Sequence, residues 1–248
     1  MLSFKKAIFR ALCLCCVLIG GGGLMAEPNP EELVDLGMLS YDKQDFSKAR
    51  KYFERACGLN NGGGCGALGD LYDDVEKNLI KAAQFYSKAC GLKDGRGCFN
   101  LGRLYYFGEG VEKNLTKASQ YFSKACGLNN SGGCGALGMQ YEYGQGVKKN
   151  LIKATQFYSK ACDLKDGRGC GSLGDLYEND QGVEKDLIKA AYFYSKACEL
   201  KESFGCGALG VLYYNGQGVE KNLTKADQYF SKACKLGDQE ACEALKEK

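Results

Sequence analysis

The sequence predicts an all-α fold, a right-handed superhelical solenoid of helix-turn-helix repeats stapled by disulfides. Three observations carry this. The tripeptide Lys-Ala-Cys ends at Cys90, Cys126, Cys162, Cys198 and Cys234, a constant step of 36 residues, and Arg-Ala-Cys ends at Cys57, 33 residues before Cys90. Eight positions after each of these stands another cysteine: Cys65, Cys98, Cys134, Cys170, Cys206 and Cys242. Between them apolar residues recur at i, i+3, i+4 and i+7, the period of an amphipathic helix. A unit of this length is one helical hairpin, and it buries its apolar face only by stacking on its neighbours.

The chain begins with Lys5, Lys6 and Arg10, an apolar run from Ala11 to Ile19, the small residues Gly20 to Gly23, and Ala26. That order reads as a secretory signal over residues 1–26, cut after Ala26, and its apolar run is too short to span a bilayer. Removing it takes away three bases and no acid, so the formal charge falls from +3 to zero, and the cysteines fall from fifteen to twelve. A neutral chain of mixed signs has no electrostatic footprint for nucleic acid or an anionic membrane. An even cysteine count in an exported chain suits a full disulfide framework. The expectation is therefore a secreted or periplasmic monomer without a membrane span, in which residues 27–248 form a single solenoid domain.

Asn29, Pro30 and Glu32 fit the N-cap, first helical position and capping-box partner of an opening helix A that has no cysteine. In the second unit, helix A runs from about Gly64 to Asp73, with Cys65, Leu68, Gly69 and Tyr72 on one face. Helix B runs from about Leu79 to Cys90, with Ala82, Phe85, Tyr86 and Ala89 on one face, and Lys81 and Lys88 left to solvent. Asn78 precedes helix B as its N-cap, and Asn114, Asn150, Asp186 and Asn222 hold the same place. Gly-x-Gly-Val turns join A to B at Gly108 and Gly110, Gly144 and Gly146, and Gly216 and Gly218, while the fifth unit has Asp180-Gln181-Gly182. Gly69, Gly102, Gly138, Gly174 and Gly210 mark close approach of helix A to a neighbour. About six repeats are closed by a C-terminal capping helix in Gln239–Lys248.

Two cysteine pairings fit the spacing, across the B-to-A junction or within one unit. The first cysteine lies on a helix B and the last on a helix A, so pairing within units strands Cys57 and Cys242. Pairing across junctions uses all twelve: Cys57–Cys65, Cys90–Cys98, Cys126–Cys134, Cys162–Cys170, Cys198–Cys206 and Cys234–Cys242. A loop this small contributes about 2–3 kcal/mol per bridge in the chain-entropy model. Zinc sites want closer cysteine pairs, often with histidine, and the chain has no histidine. No metal and no cofactor are expected.

The string Gly108-Glu109-Gly110-Val111-Glu112-Lys113-Asn114, followed by Lys117-Ala118, Tyr121, Lys124-Ala125, Leu137-Gly138 and Tyr141, resembles the Sel1-like repeat, a relative of the tetratricopeptide repeat. With cysteines eight positions apart at every junction, the chain is similar to the Helicobacter cysteine-rich protein family. That resemblance implies an exported protein that binds penicillins and hydrolyses β-lactams slowly, with a link to cell-wall sugar peptides. It also implies the alternative of a non-enzymatic adaptor with helix A lining a concave groove.

The residues themselves supply little catalytic machinery. Serine β-lactamases combine S-x-x-K with S-D-N and K-T-G elements. Beyond the signal, S-x-x-K occurs once, at Ser40 and Lys43, and the other two elements are missing. The lack of histidine excludes Ser-His-Asp and Cys-His arrangements. Gly-x-Gly-Val is followed by no Gly-Lys-Ser/Thr and recurs with the repeat, so it is a turn and not a phosphate loop. Asn114-Leu115-Thr116 and Asn222-Leu223-Thr224 spell glycosylation sequons at positions better explained as N-caps. Tyr72, Tyr105, Tyr141, Tyr177 and Tyr213 hold one repeated position and should pack.

A ligand site is sought where the units differ on a fixed frame. On helix A these positions are Ala67, Asp70 and Asp74; then Asn100, Arg103 and Phe107; Ala136, Met139 and Tyr143; Ser172, Asp175 and Asn179; and Ala208, Val211 and Asn215. Asn100, Arg103, Phe107, Met139, Tyr143 and Asp175 would line a groove fitting an extended peptide or protein segment, a β-lactam or a peptidoglycan-like molecule, with Arg103 clamping a ligand carboxylate.

Overall fold

In the computed structural model the described residues are 28–246, and the expected signal segment lies outside them. Seven A helices alternate with six B helices among the described residues. The A helices are α1 (Pro30–Asp42), α3 (Gly62–Asp70), α5 (Gly95–Phe107), α7 (Ser131–Tyr143), α9 (Gly167–Glu178), α11 (Ser203–Asn215) and α13 (Gln239–Ala244). The B helices are α2 (Phe46–Gly58), α4 (Leu79–Gly91), α6 (Leu115–Gly127), α8 (Leu151–Asp163), α10 (Leu187–Glu199) and α12 (Leu223–Lys235). Each A packs on its own B, each B packs on the next A, and the chain is a helix-turn-helix solenoid. Successive A helices from α1 to α11 also touch one another more closely than successive B helices do, which puts the A row on the inside of the curve.

Local chemistry sets the ends of these helices. The Asn29 side chain accepts from Glu31 N and Glu32 N, and the Glu32 carboxylate accepts from Asn29 N, completing the capping box. Asn78, Asn114, Asn150, Asp186 and Asn222 each accept from the backbone N–H three residues on, so both sequon asparagines serve as caps. Gly108, Gly144 and Gly216 end their A helices in the left-handed region, at φ of 70° to 80°. The second unit has the shorter loop, and there α3 runs into a π-helical turn over Leu71–Val75. A left-handed residue also precedes the helix A cap at every B-to-A junction: Asn60, Lys93, Asn129, Lys165, Lys201 and Gly237.

All six disulfides join the cysteines eight apart across those junctions, with Cα separations of 4.5–4.7 Å. Two contacts recur in the second to sixth units. A Cβ on Gly69, Gly102, Gly138, Gly174 or Gly210 would lie 2.5–2.8 Å from the ring of Tyr86, Phe122, Tyr158, Tyr194 or Phe230, so the close approach is to the unit's own B helix. The repeated tyrosines pack as the pattern required. Tyr72, Tyr105, Tyr141, Tyr177 and Tyr213 stack on Phe85, Tyr121, Phe157, Phe193 and Tyr229, centroids 5.3–5.7 Å apart. Lys81, Lys117, Lys153, Lys189 and Lys225 lie 5.0–5.2 Å over the same tyrosines, so the off-stripe lysine, though exposed, covers a ring.

Candidate functional site

The inner face is built from the A-helix residues that the stacking leaves uncovered. Phe107 and Tyr143, each the last residue of its helix, are 58% and 63% exposed. Met139 is half-buried and packs on the cluster around Ala154, Tyr158, Leu173 and Leu176. Asn100 donates to Asp70 Oδ1 at 3.0 Å. Asp175 accepts from Asn179 Nδ2 at 2.9 Å. The Arg103 guanidinium is divided between Asp73 at 2.5 Å and Glu109 at 3.5 Å.

Neither catalytic candidate makes a side-chain hydrogen bond to the other. Ser40 is 7% exposed and its hydroxyl donates to Leu36 O at 2.9 Å, back along its own helix. Lys43 is the exposed C-cap residue of α1. Ser40 occupies the repeat position held elsewhere by the stacked tyrosine.

Charge on this face is organised in a way the position-by-position comparison missed. Tyr86 Oη donates to Asp70 at 2.9 Å and Asp73 at 3.3 Å, Tyr158 Oη to Glu142 at 2.6 Å, and Tyr194 Oη to Glu178 at 2.7 Å. Each bond joins helix B to the C-terminal end of helix A, or to the π-helical turn that follows it, in one unit. In repeat register, Asp73, Glu142 and Glu178 align with Tyr41, Tyr106 and Tyr214, and the units with those tyrosines carry Phe53, Phe122 and Phe230 on helix B. A carboxylate on A therefore goes with tyrosine on B, and a tyrosine on A goes with phenylalanine on B. Pairing positions between the two helices of a unit would have found this; comparing one column at a time does not.

The two acidic regions differ in their cations. Asp70 and Asp73 are met by Arg96 at 3.2 Å and Arg103 at 2.5 Å, both from the next A helix. Burial, the largest cause, holds the Asp70 carboxyl above its ordinary value even so. At the second region no ion pair reaches Glu142, Asp175 or Glu178 among the described residues. Burial raises the Asp175 carboxyl, and the charges of Glu142 and Glu178 raise it further. Glu142, only 9% exposed, also pushes the Tyr143 hydroxyl up by its charge and a hydrogen bond. Burial and the bonds to Glu142 and Glu178 raise the Tyr158 and Tyr194 hydroxyls well beyond the ordinary phenol range, so both stay protonated donors. Among the described residues, no group of three or more His, Cys, Asp or Glu has an arrangement that holds a metal, and no helix is long and apolar enough to cross a membrane.

Comparison with known proteins places these units. The model of the Sel1 repeat matches residues 37–61, 64–94, 95–130, 133–166, 169–202 and 203–238. HcpC of Helicobacter pylori strain J99 is 54% identical over 80 residues, 31% of this chain and 27% of its own length. Beta-lactamase HcpA of the same strain is 51% identical over 72 residues, 29% of this chain and 28% of its own length. The matched stretch thus spans about a quarter of these curated relatives. Among solved structures, c5321, a protective antigen of uropathogenic Escherichia coli, superposes with a TM-score of 0.80 at 26% identity, covering 88% of this chain and 48% of that one.

Proposed function

The chain belongs to the Sel1 repeat family, and from that premise we propose that it is an exported scaffold whose A-helix face holds an extended peptide segment of a partner protein. One observation carries the reading. The stacking frame is constant from unit to unit, while the inner-face residues change chemistry and leave Phe107 and Tyr143 more than half exposed. Uncovered aromatic surface is costly in water and marks a face built for contact. Sel1 repeat solenoids generally bind protein partners. The six disulfides suit an oxidising compartment, which supports export to the periplasm or beyond the cell.

The test is selection of a displayed random-peptide library on the oxidised protein. Enriched peptides should bind wild type and lose affinity for Tyr143→Ala. They should keep it for Ile188→Ala, which alters an exposed residue on a B helix. Enrichment unaffected by Tyr143→Ala would move the site off the A face, and no enrichment would sink the reading.

A second reading, binding and slow hydrolysis of β-lactams or capture of peptidoglycan-derived compounds, is favoured by the name of the relative HcpA. Penicillin turnover by the oxidised protein, with intact mass recorded alongside, tests it. Saturable turnover lost on reduction would establish a folded hydrolase, and neither turnover nor adduct would remove the reading.

A further inference from the structure

We propose that Glu142, Tyr143, Asp175 and Glu178 form a seat for one cationic side chain, arginine or lysine, of the peptide held on the A-helix face. This rests on the scaffold reading above and names the chemistry of one subsite.

A model of the occupied seat exists within the same molecule. Asp73, in the π-helical turn that follows α3, accepts a hydrogen bond from Tyr86 of its own helix B and a guanidinium from Arg103 of the next A helix. Glu142 on α7 stands at the equivalent position and accepts from Tyr158 in the same manner. The residue equivalent to Arg103, one A helix further on, is Asp175. Glu178 repeats the pattern with Tyr194, and its residue in the Arg103 position is Val211. Where one pair of units supplies its own guanidinium, the next presents a second carboxylate and then a valine. The tyrosine-anchored acceptors are retained and the cation is missing.

The seat also has a wall. Tyr143, 63% exposed, follows Glu142 at the helix end, and the charges of Glu142 and Asp175 raise its hydroxyl, so an exposed aromatic residue stands next to the carboxylates in the field of both. Val211, Tyr214 and Phe204 on α11, each 43–49% exposed, continue the surface with apolar groups for the residues flanking the cation. An arriving guanidinium or ammonium offsets the mutual repulsion of carboxylates that the fold leaves uncompensated.

The experiment uses the full oxidised protein and fluorescein-labelled Gly-Ala-Leu-Arg-Leu-Ala-Gly, with counterparts carrying citrulline or glutamate in place of arginine. Fluorescence anisotropy should show the arginine peptide binding about tenfold or more tightly than the isosteric, neutral citrulline peptide, and the glutamate peptide weakest. Asp175→Asn should narrow that ratio. Asp175→Arg should place a guanidinium against Glu142 as Arg103 stands against Asp73, so it should abolish arginine selectivity while melting no lower than wild type. Lost selectivity in a protein of undiminished stability cannot be assigned to misfolding. Equal binding of the three peptides would overturn the seat and leave the scaffold reading intact. Binding of none would overturn the seat, and the library selection would then decide the scaffold reading separately. Displacement of the arginine peptide by calcium chloride, but not by sodium chloride at equal ionic strength, would overturn it in favour of a metal site.

Discussion

Gln140 occupies a position where every neighbouring unit has leucine: Leu71, Leu104, Leu176 and Leu212. All five are fully buried. Gln140 Nε2 reaches Leu115 O at 3.4 Å, a long bond, and Oε1 has no partner. Replacement by leucine removes an orphaned buried acceptor, whose desolvation costs about 1–3 kcal/mol. It sacrifices one weak hydrogen bond, worth about 0.5 kcal/mol at that length. Leu115 O is not stranded, because Ser119 Oγ donates to it at 3.0 Å. The apolar side chain refills the site with nearly the same volume. Gln140→Leu should therefore stabilise by about 1–2 kcal/mol, a rise in melting temperature of about 2–8 °C for a chain of this length. Differential scanning calorimetry of the oxidised protein measures it. Because a repeat array can unfold in parts, hydrogen exchange should show the gain concentrated in α7 and its neighbours. A leucine variant that melts at or below wild type would refute the reasoning and mean that Oε1 is satisfied.

Tyr158→Phe should destabilise by about 1–3 kcal/mol, because it takes a donor from nearly buried Glu142; adding Glu142→Tyr, which recreates the Tyr106/Phe122 pattern, should recover most of the loss in a double-mutant cycle, and additive losses would reject the pairing rule. Glu202 is the one helix A cap among α3 to α13 that makes no side-chain cap bond, so Glu202→Asp should raise stability by about 0.5–1 kcal/mol in urea unfolding, and no gain would count against the cap argument. The Asp175 carboxyl is raised in the folded state, so its ionised form opposes folding and stability falls as pH climbs from the ordinary value of 3.8 through the raised one. Asp175→Asn should accordingly melt above wild type at neutral pH, by less than about 1 kcal/mol given its partial exposure. The gain should vanish below the ordinary carboxylate value, and a gain of equal size at both extremes would exclude a charge origin.

The sequence by itself determined what depends on neighbours in the chain or on counting. The helical period, the Asn and Asp caps and the Gly-x-Gly turns are interactions within a few residues, and the structure has them. Disulfide pairing followed from the position of the first and last cysteines, since only junction pairing uses all twelve. The left-handed lysines at 93, 165 and 201 escaped notice because the stapled junction imposes a conformation that lysine does not advertise. Tertiary structure alone decided what the inner-face charges do. Arg103 reads as a clamp for a ligand carboxylate until α5 is laid beside the turn that follows α3, where Asp73, 30 residues earlier, pairs with it. Ser40 reads as half of an S-x-x-K pair until stacking buries it and its hydroxyl turns to Leu36 O. Glu142 and Asp175 are 33 residues apart in the chain, and only the apposition of α7 and α9 sets like charges together. Periodicity specifies which face of each helix is buried, while the partner of an exposed charge is set by the neighbouring helix it is stacked against.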